Sequence, residues 1–441
     1  MNKDKIFEIL NDWNFWFNPL PKTHTRKNYE EEIARKSGAG EVIVIKGVRR
    51  SGKSTLLINE IKRLTECGLD VKNILFVNFE DQRFRMFDEQ TLLEDIKNVY
   101  LEYIKPVGDI VIMLDEVQNV KAWEQWVLKE YELSNNSLYV TGSNSHLLGA
   151  EFGTALSGRY LDIEVFPLSF KEYLAFNGIP INSKAELLHN KMLLQQQFNS
   201  YMEYGGFPKT VLLSDEALKK ETVKSYYDSI LLKDIVARYK LKNYQILNEL
   251  ILFLLSNNAS INAYNKLKNN FSSSFDTIRD YVAYLTNAYM ILSIPKFDYA
   301  LKKQIANPKK FYAIDTGFSN AVSFNVSKKI GANLENIIFL ELRRRGKEIY
   351  YYKTEKGREI DFLIQEEEFT ELIQVSVTLE NEETRHRELR VFCEAKKELR
   401  GKIKAMLITF DSSEVIEYDG CEIEIINVLE FLMLERFLCV P

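Results

Sequence analysis

The chain has 441 residues, 46% of them hydrophobic and 27% charged, with a net charge of −5. That length exceeds a single core and predicts about three domains, while the mild acidity excludes a global pull toward nucleic acid or acidic membranes, so any DNA contact needs a local basic patch. Four histidines and four cysteines (Cys67, Cys393, Cys421, Cys439) lie scattered, which excludes a disulfide framework or a zinc centre and predicts a reducing, cytoplasmic setting.

Residues 1–40 predict an N-terminal helical segment without the pattern of a signal peptide. The densest apolar run, Leu250 to Leu255, is far shorter than a membrane span, so no membrane partner is expected. Glu41 to Lys46 is a β-branched apolar run, the pattern of a buried parallel strand. Gly47-Val48-Arg49-Arg50-Ser51-Gly52-Lys53-Ser54 follows at once, and Ser54-Thr55-Leu56-Leu57 opens a helix. Strand, glycine loop and helix are the context of a phosphate-binding loop. Gly47 and Gly52 let backbone N–H groups curl around phosphates. Lys53 supplies a cation for the β- and γ-phosphates, and the Ser54 hydroxyl a ligand for Mg²⁺. ATP and Mg²⁺ are therefore the predicted cofactors.

Asn73 to Asn78 is a second strand, and Asp109 to Leu114 a third that ends in Asp115-Glu116. Asp115 suits the outer-sphere Mg²⁺ partner and Glu116 the carboxylate that polarises an attacking water. Leu138 to Thr141 and Leu161 to Val165 complete a parallel sheet with helices on both faces, an α/β module over 41–175. Gly142-Ser143-Asn144-Ser145 places a polar side chain between the ends of the first and third strands. A plain glycine-serine turn fits those residues as well.

The order of these motifs, with Gly158-Arg159 ahead of the fifth strand, resembles the AAA+ ATPase superfamily. More narrowly it resembles a prokaryotic group in which the ATPase module precedes a winged helix and a restriction-endonuclease-like domain. The resemblance extends over nearly the whole chain, and the N-terminal motifs are its specific part. It implies that Ser143 or Asn144 senses the γ-phosphate and that Asn78 restrains the catalytic glutamate. It also gives Arg159 the arginine-finger position, reaching a neighbour's γ-phosphate in a homo-oligomer. A surface pair with Asp162 or Glu151 is the other reading of Arg159.

Residues 176–245 predict a helical lid. Within it Gly206-Phe207-Pro208 resembles an element whose proline packs on adenine, although Gly-Gly-x-Pro is also a common turn between helices. Residues 246–325 carry the winged-helix pattern: a helix from Ile261 to Asn270, a turn at Ser272–Ser274, a helix from Phe275 to Leu285 and a strand from Ile291 to Phe297. Ile278, Tyr281, Val282 and Leu285 form the buried stripe of the second helix. Lys302, Lys303, Lys309 and Lys310 in or near the wing favour DNA phosphates, but Asp276 and Asp280 on the second helix oppose a polyanion.

Residues 326–441 predict an α/β domain resembling restriction endonucleases. Its parts are a helix from Gly331 to Arg345, a hairpin turning at Glu355-Lys356-Gly357, a strand from Thr370 to Val377 and a helix from about Glu382. The resemblance puts Glu335, Asp361 and Gln374 at the family's metal positions. Gln374 and Ser376 stand where it has an acid and a lysine, with Lys353 as a substitute cation. Ser376 supplies no charge to steady an attacking water, so the site reads as vestigial and nuclease activity is not expected. The chain as a whole reads as an ATPase that remodels or moves a partner, double-stranded DNA among the candidates. A slow nucleotide-state switch acting through protein contacts is the alternative, and an ATP-regulated metal-dependent nuclease the third option.

Overall fold

The computed structural model describes residues 3–145, 156, 158–322, 330–411 and 413–433, so Glu151 and Cys439 lie outside the described residues. The chain divides into two compact units, Met1–Phe166 and Pro167–Pro441. No helix among the described residues is long and apolar enough to cross a membrane.

The first unit is built on five parallel strands: β1 (Val42–Gly47), β2 (Ile74–Asn78), β3 (Val111–Asp115), β4 (Ser137–Gly142) and β5 (Tyr160–Val165). Their order is β2-β3-β4-β1-β5. Alternate residues of each strand enter opposite cores, because side chains alternate across a pleated strand. Val42, Val44, Ile112 and Leu114 join Ile6, Leu10, Ile96 and Val127 on one face. Ile43, Ile45, Phe76 and Met113 join Tyr29, Ile33, Leu57 and Ile61 on the other. The helices Lys3–Trp13 and Lys27–Ser37 of the N-terminal segment thus cover opposite faces of the sheet. The order matters for chemistry: β4 pairs with both β1 and β3, so its carboxyl end lies between the phosphate loop and the Asp115-Glu116 pair.

The second unit opens with helices, including Lys191–Tyr204, Pro208–Val211 and Glu216–Ser229. Three antiparallel strands follow, β6 (Ser260–Asn262), β7 (Ile291–Ile294) and β8 (Lys309–Ala313), in the order β6-β8-β7. The helices Gln245–Ser256, Tyr264–Asn270 and Phe275–Asn287 accompany them. The helix expected from Ile261 begins only at Tyr264, because Ser260–Asn262 pairs with β8. The strand expected to reach Phe297 ends at Ile294, one residue before Pro295, which has no N–H to donate to a ladder. Of the second helix's expected stripe, Ile278, Val282 and Leu285 are buried and Tyr281 is half-buried.

A six-stranded mixed sheet completes the unit: β9 (Ile349–Lys353), β10 (Glu359–Gln365), β11 (Phe369–Val375), β12 (Lys402–Thr409), β13 (Glu414–Tyr418) and β14 (Cys421–Asn427). Its order is β13-β14-β12-β11-β10-β9. The turn joining β9 to β10 uses Gly357 at φ 81°, a left-handed conformation that favours glycine. The β9–β10 register shifts between Ile360 and Leu363, so a bulge re-aims the backbone at Asp361.

Candidate functional site

The phosphate loop leaves β1 at Gly47, whose φ is 152°, and enters the helix Lys53–Glu66 through Gly52 at φ 101°. A Cβ on Gly47 would overlap the Val165 carbonyl of β5. This glycine therefore serves the strand-to-strand approach as well as any phosphate. Arg50 also takes a left-handed φ of 69°. Val48 and Ser51 are fully buried, and the Ser51 hydroxyl has no hydrogen-bond partner among the described residues.

Sequence reasoning passed over the residue that braces this loop. Arg26, 3% exposed, donates from one guanidinium nitrogen to Ser51 O and to Phe166 O, each at 2.9 Å. Its guanidinium carbon lies 4.4 Å from the Tyr29 ring centroid, and the Tyr29 hydroxyl accepts from Phe166 N. The pair ties the loop to the end of β5. The signal in sequence was an Arg-x-x-Tyr ahead of the first strand, too common a spacing to single out.

Lys53 is buried, with Nζ 3.1 Å from Gly47 O and 3.2 Å from Val48 O. It also stands 3.3 Å from Glu116 Oε1. The Ser54 hydroxyl lies near enough to Asp115 to favour its carboxylate form, so the two expected Mg²⁺ partners are neighbours. A hydroxyl and a carboxylate oxygen side by side suit a hard divalent cation. Burial and the neighbouring Glu116 charge raise the Asp115 pKa, and a cation there would offset both effects. Burial pushes Glu116 upward too, but Lys53, Arg49 and hydrogen bonds from Gln118 and Ser143 together hold its carboxyl below the usual range. Arg49 is itself paired with Glu80.

Two further residues fix these acids. The Thr141 hydroxyl of β4 donates to Asp115 Oδ1 at 2.5 Å and accepts from Glu116 N at 3.1 Å. Glu116 itself sits at φ 54°, a conformation that costs a non-glycine residue energy and concentrates at functional sites. Gln118 donates from Nε2 to Glu116 Oε2 at 2.6 Å and to Ser143 Oγ at 3.2 Å. Asn78, expected to restrain Glu116, stands in register with Asp115 but turns its Oδ1 to Glu80 N at 2.9 Å. Ser143 and Asn144 are both buried at the β4 tip. Arg159 pairs with Glu132 at 2.7 Å; Asp162, one of its expected partners, is taken by Lys46.

In the second unit, the close backbone approach of Gly205 and Gly206 has a local cause. A Cβ on Gly205 would overlap the Asp315 carboxylate, and one on Gly206 the Leu168 carbonyl. Asp315 accepts from Gly206 N at 2.7 Å and Gly317 N at 2.8 Å. Phe207 is fully buried between Tyr226 and Phe318, and Pro208 starts the short helix Pro208–Val211.

Glu335 and Asp361 come together around a lysine expected on a DNA-binding wing, and Gln374 bonds the backbone of Asp361. Lys310 is 1% exposed. Its Nζ lies 2.6 Å from Glu335, 2.7 Å from Glu359 and 2.9 Å from Asp361. Burial would lower its pKa, but the surrounding carboxylates raise it well above the ordinary value. Lys353, the expected substitute, lies 4.0 Å from Glu359. Gln374 donates to Glu388 at 2.8 Å and accepts from Asp361 N at 3.2 Å. The oxygens that would hold a divalent metal therefore hold an ammonium, and this donor set does not suit a metal while Lys310 is seated. Of the wing lysines, Lys302 and Lys303 are exposed and Lys309 is half-buried.

With this geometry in hand, comparison with known proteins adds three observations. Residues 39–174 match a family described as an AAA domain, and residues 195–329 and 330–431 match two domains of unknown function, DUF8612 and DUF4143. An uncharacterized protein of Haemophilus influenzae is 32% identical over 415 residues, 93% of this chain and 98% of its own length. The uncharacterized protein MJ1544 of Methanocaldococcus jannaschii is 33% identical over 416 residues, 92% of this chain and 90% of its own. Among solved structures, the Walker-type ATPase paby2304 of Pyrococcus abyssi is similar at 13% identity and a TM-score of 0.46, over 70% of this chain and 99% of that one.

Proposed function

We propose that this chain, which belongs to the family of its Haemophilus influenzae and Methanocaldococcus jannaschii relatives and carries an AAA-type P-loop ATPase domain, hydrolyses ATP with Mg²⁺. The observation that carries the reading is the contact of Lys53 with Glu116 beside the Ser54–Asp115 pair. Loop N–H groups and the helix N-terminus bind the phosphates. Lys53 exchanges Glu116 for the β- and γ-phosphate oxygens, which frees a carboxylate oxygen to take a proton from water. Ser54, with Asp115 in the outer sphere, would hold Mg²⁺, which would neutralise charge on the phosphates.

The output is a partner remodelled or moved by the second unit. Three helices with the β6-β8-β7 sheet support a winged-helix reading, and exposed Lys302 and Lys303 are its basic feature. The mixed sheet bearing Glu335 and Asp361 supports an endonuclease-like fold, and the seated Lys310 argues against cleavage.

Lys53→Ala is expected to abolish nucleotide binding. Glu116→Gln is expected to retain binding and lower turnover by about 100-fold or more. The measurements are fluorescent-nucleotide titration and phosphate release, with and without double-stranded DNA. Unchanged turnover in Glu116→Gln would remove Glu116 as the base, and acceleration by DNA would identify it as the partner.

A further inference from the structure

The two carboxylate oxygens of Glu116 are held by different kinds of group. Oε1 faces the Lys53 ammonium at 3.3 Å, a cation that ATP claims in the function proposed above. Oε2 accepts from the Gln118 amide at 2.6 Å, a neutral donor that no phosphate displaces. The same nitrogen reaches Ser143 Oγ at 3.2 Å, at the β4 tip between β1 and β3. The amide sits one way round, because turned over its oxygen would face a carboxylate. Gln118 Oε1 is left buried without a partner among the described residues, an arrangement a polar atom keeps only where something else requires it. The turn is anchored on both sides. Val117 and Val120 are buried, and Asn119 N and Val120 N close it onto Glu116 O and Val117 O.

We infer that Gln118 is a positioning residue for hydrolysis, fixing Glu116 Oε2 against Ser143 so that Oε1 is presented to the attacking water once Lys53 has moved to the phosphates. The inference rests on the ATPase reading above. In the step it serves, the water oxygen bonds to the γ-phosphorus and the water proton passes to Glu116 Oε1. The bond from the γ-phosphorus to the bridging oxygen breaks, and ADP leaves with that electron pair.

The test is Gln118→Leu, similar in size and lacking the amide, measured in the full chain with Mg·ATP. The expected result is an ATP dissociation constant within about twofold of wild type and a kcat lower by about tenfold or more. Added to Glu116→Gln, Gln118→Leu is expected to cost nothing further, because both act through one carboxylate. A residue with a merely structural role would instead multiply the losses. Gln118→Asn withdraws the amide by one methylene while keeping the turn polar. It is expected to lose kcat similarly and serves as the assay if the leucine variant does not fold. A folded variant with kcat within about twofold of wild type, or multiplied losses in the double variant, overturns the inference. Wild-type chain that binds ATP and never turns it over overturns instead the ATPase reading beneath it.

Discussion

Thr141 is one hydroxyl with two duties: it donates to Asp115 Oδ1 and accepts from Glu116 N. The second duty matters because Glu116 takes a left-handed φ of 54°, a strain of roughly 1–3 kcal/mol that its surroundings must over-determine. Thr141→Val keeps the shape and removes both bonds, leaving a buried N–H and a buried carboxylate oxygen unsatisfied. The expected cost is about 2 kcal/mol of stability. Turnover should fall by about tenfold as Glu116 loses its fixed direction, with ATP affinity nearly unchanged. Thr141→Ser, which keeps the hydroxyl, should recover most of both. Denaturant midpoints and saturating-ATP rates are the measurements, and a valine variant that matches wild type in both removes Thr141 from the site.

At the scale of elements, the strands and the phosphate loop were legible because each is a local pattern: short runs rich in apolar residues, the first leading into the glycine loop and the third closed by paired acids. What locks them was not. A threonine in a strand is an ordinary β-former, and a glutamine after two acids an ordinary turn residue. Thr141 and Gln118 gain their roles only because β4 inserts between β1 and β3. The Gly205-Gly206 turn carries the same lesson, since nothing near it in sequence announces Asp315. That carboxylate is buried under the turn and its pKa is pushed up to about 7, by burial first, with N–H donors from Gly206 and Gly317 opposing. The ordinary value is 3.8, so the unfolded chain releases this proton earlier than the folded one as pH rises. Asp315 therefore contributes stability below about pH 4 that is lost progressively up to about pH 7. Replacing it with asparagine should flatten that part of the stability profile. Urea midpoints at pH 5 and pH 7.5 for both proteins test this, and identical slopes would show that Asp315 does not titrate across the window.

At the scale of the whole molecule, Lys310 separates two accounts of what the second unit is for. As a wing residue it would contact phosphates; as found, it joins β8 to Glu359 and Asp361 of β10 and to Glu335 of the helix Ile330–Arg344. Sequence could not distinguish these, because Lys309 and Lys310 alternate across a strand and only the partner sheet decides which one is enclosed. Three carboxylates around one ammonium make the cation indispensable: burial and the Asp361 charge already raise the Glu335 pKa with Lys310 in place. Lys310→Met would leave the buried Asp361 and the half-buried Glu335 and Glu359 with no cation, a loss on the order of 3–5 kcal/mol at pH 8. The loss should shrink toward pH 5.5, since the acids can then take up protons in the folded state. Urea unfolding at the two pH values measures it. If Lys310 instead served DNA, the methionine variant would keep wild-type stability at both pH values and lose affinity for duplex DNA, with a shallower salt dependence. A destabilised variant whose deficit narrows in acid would identify the cluster as the internal ion pair that joins the β8 strand to the C-terminal sheet.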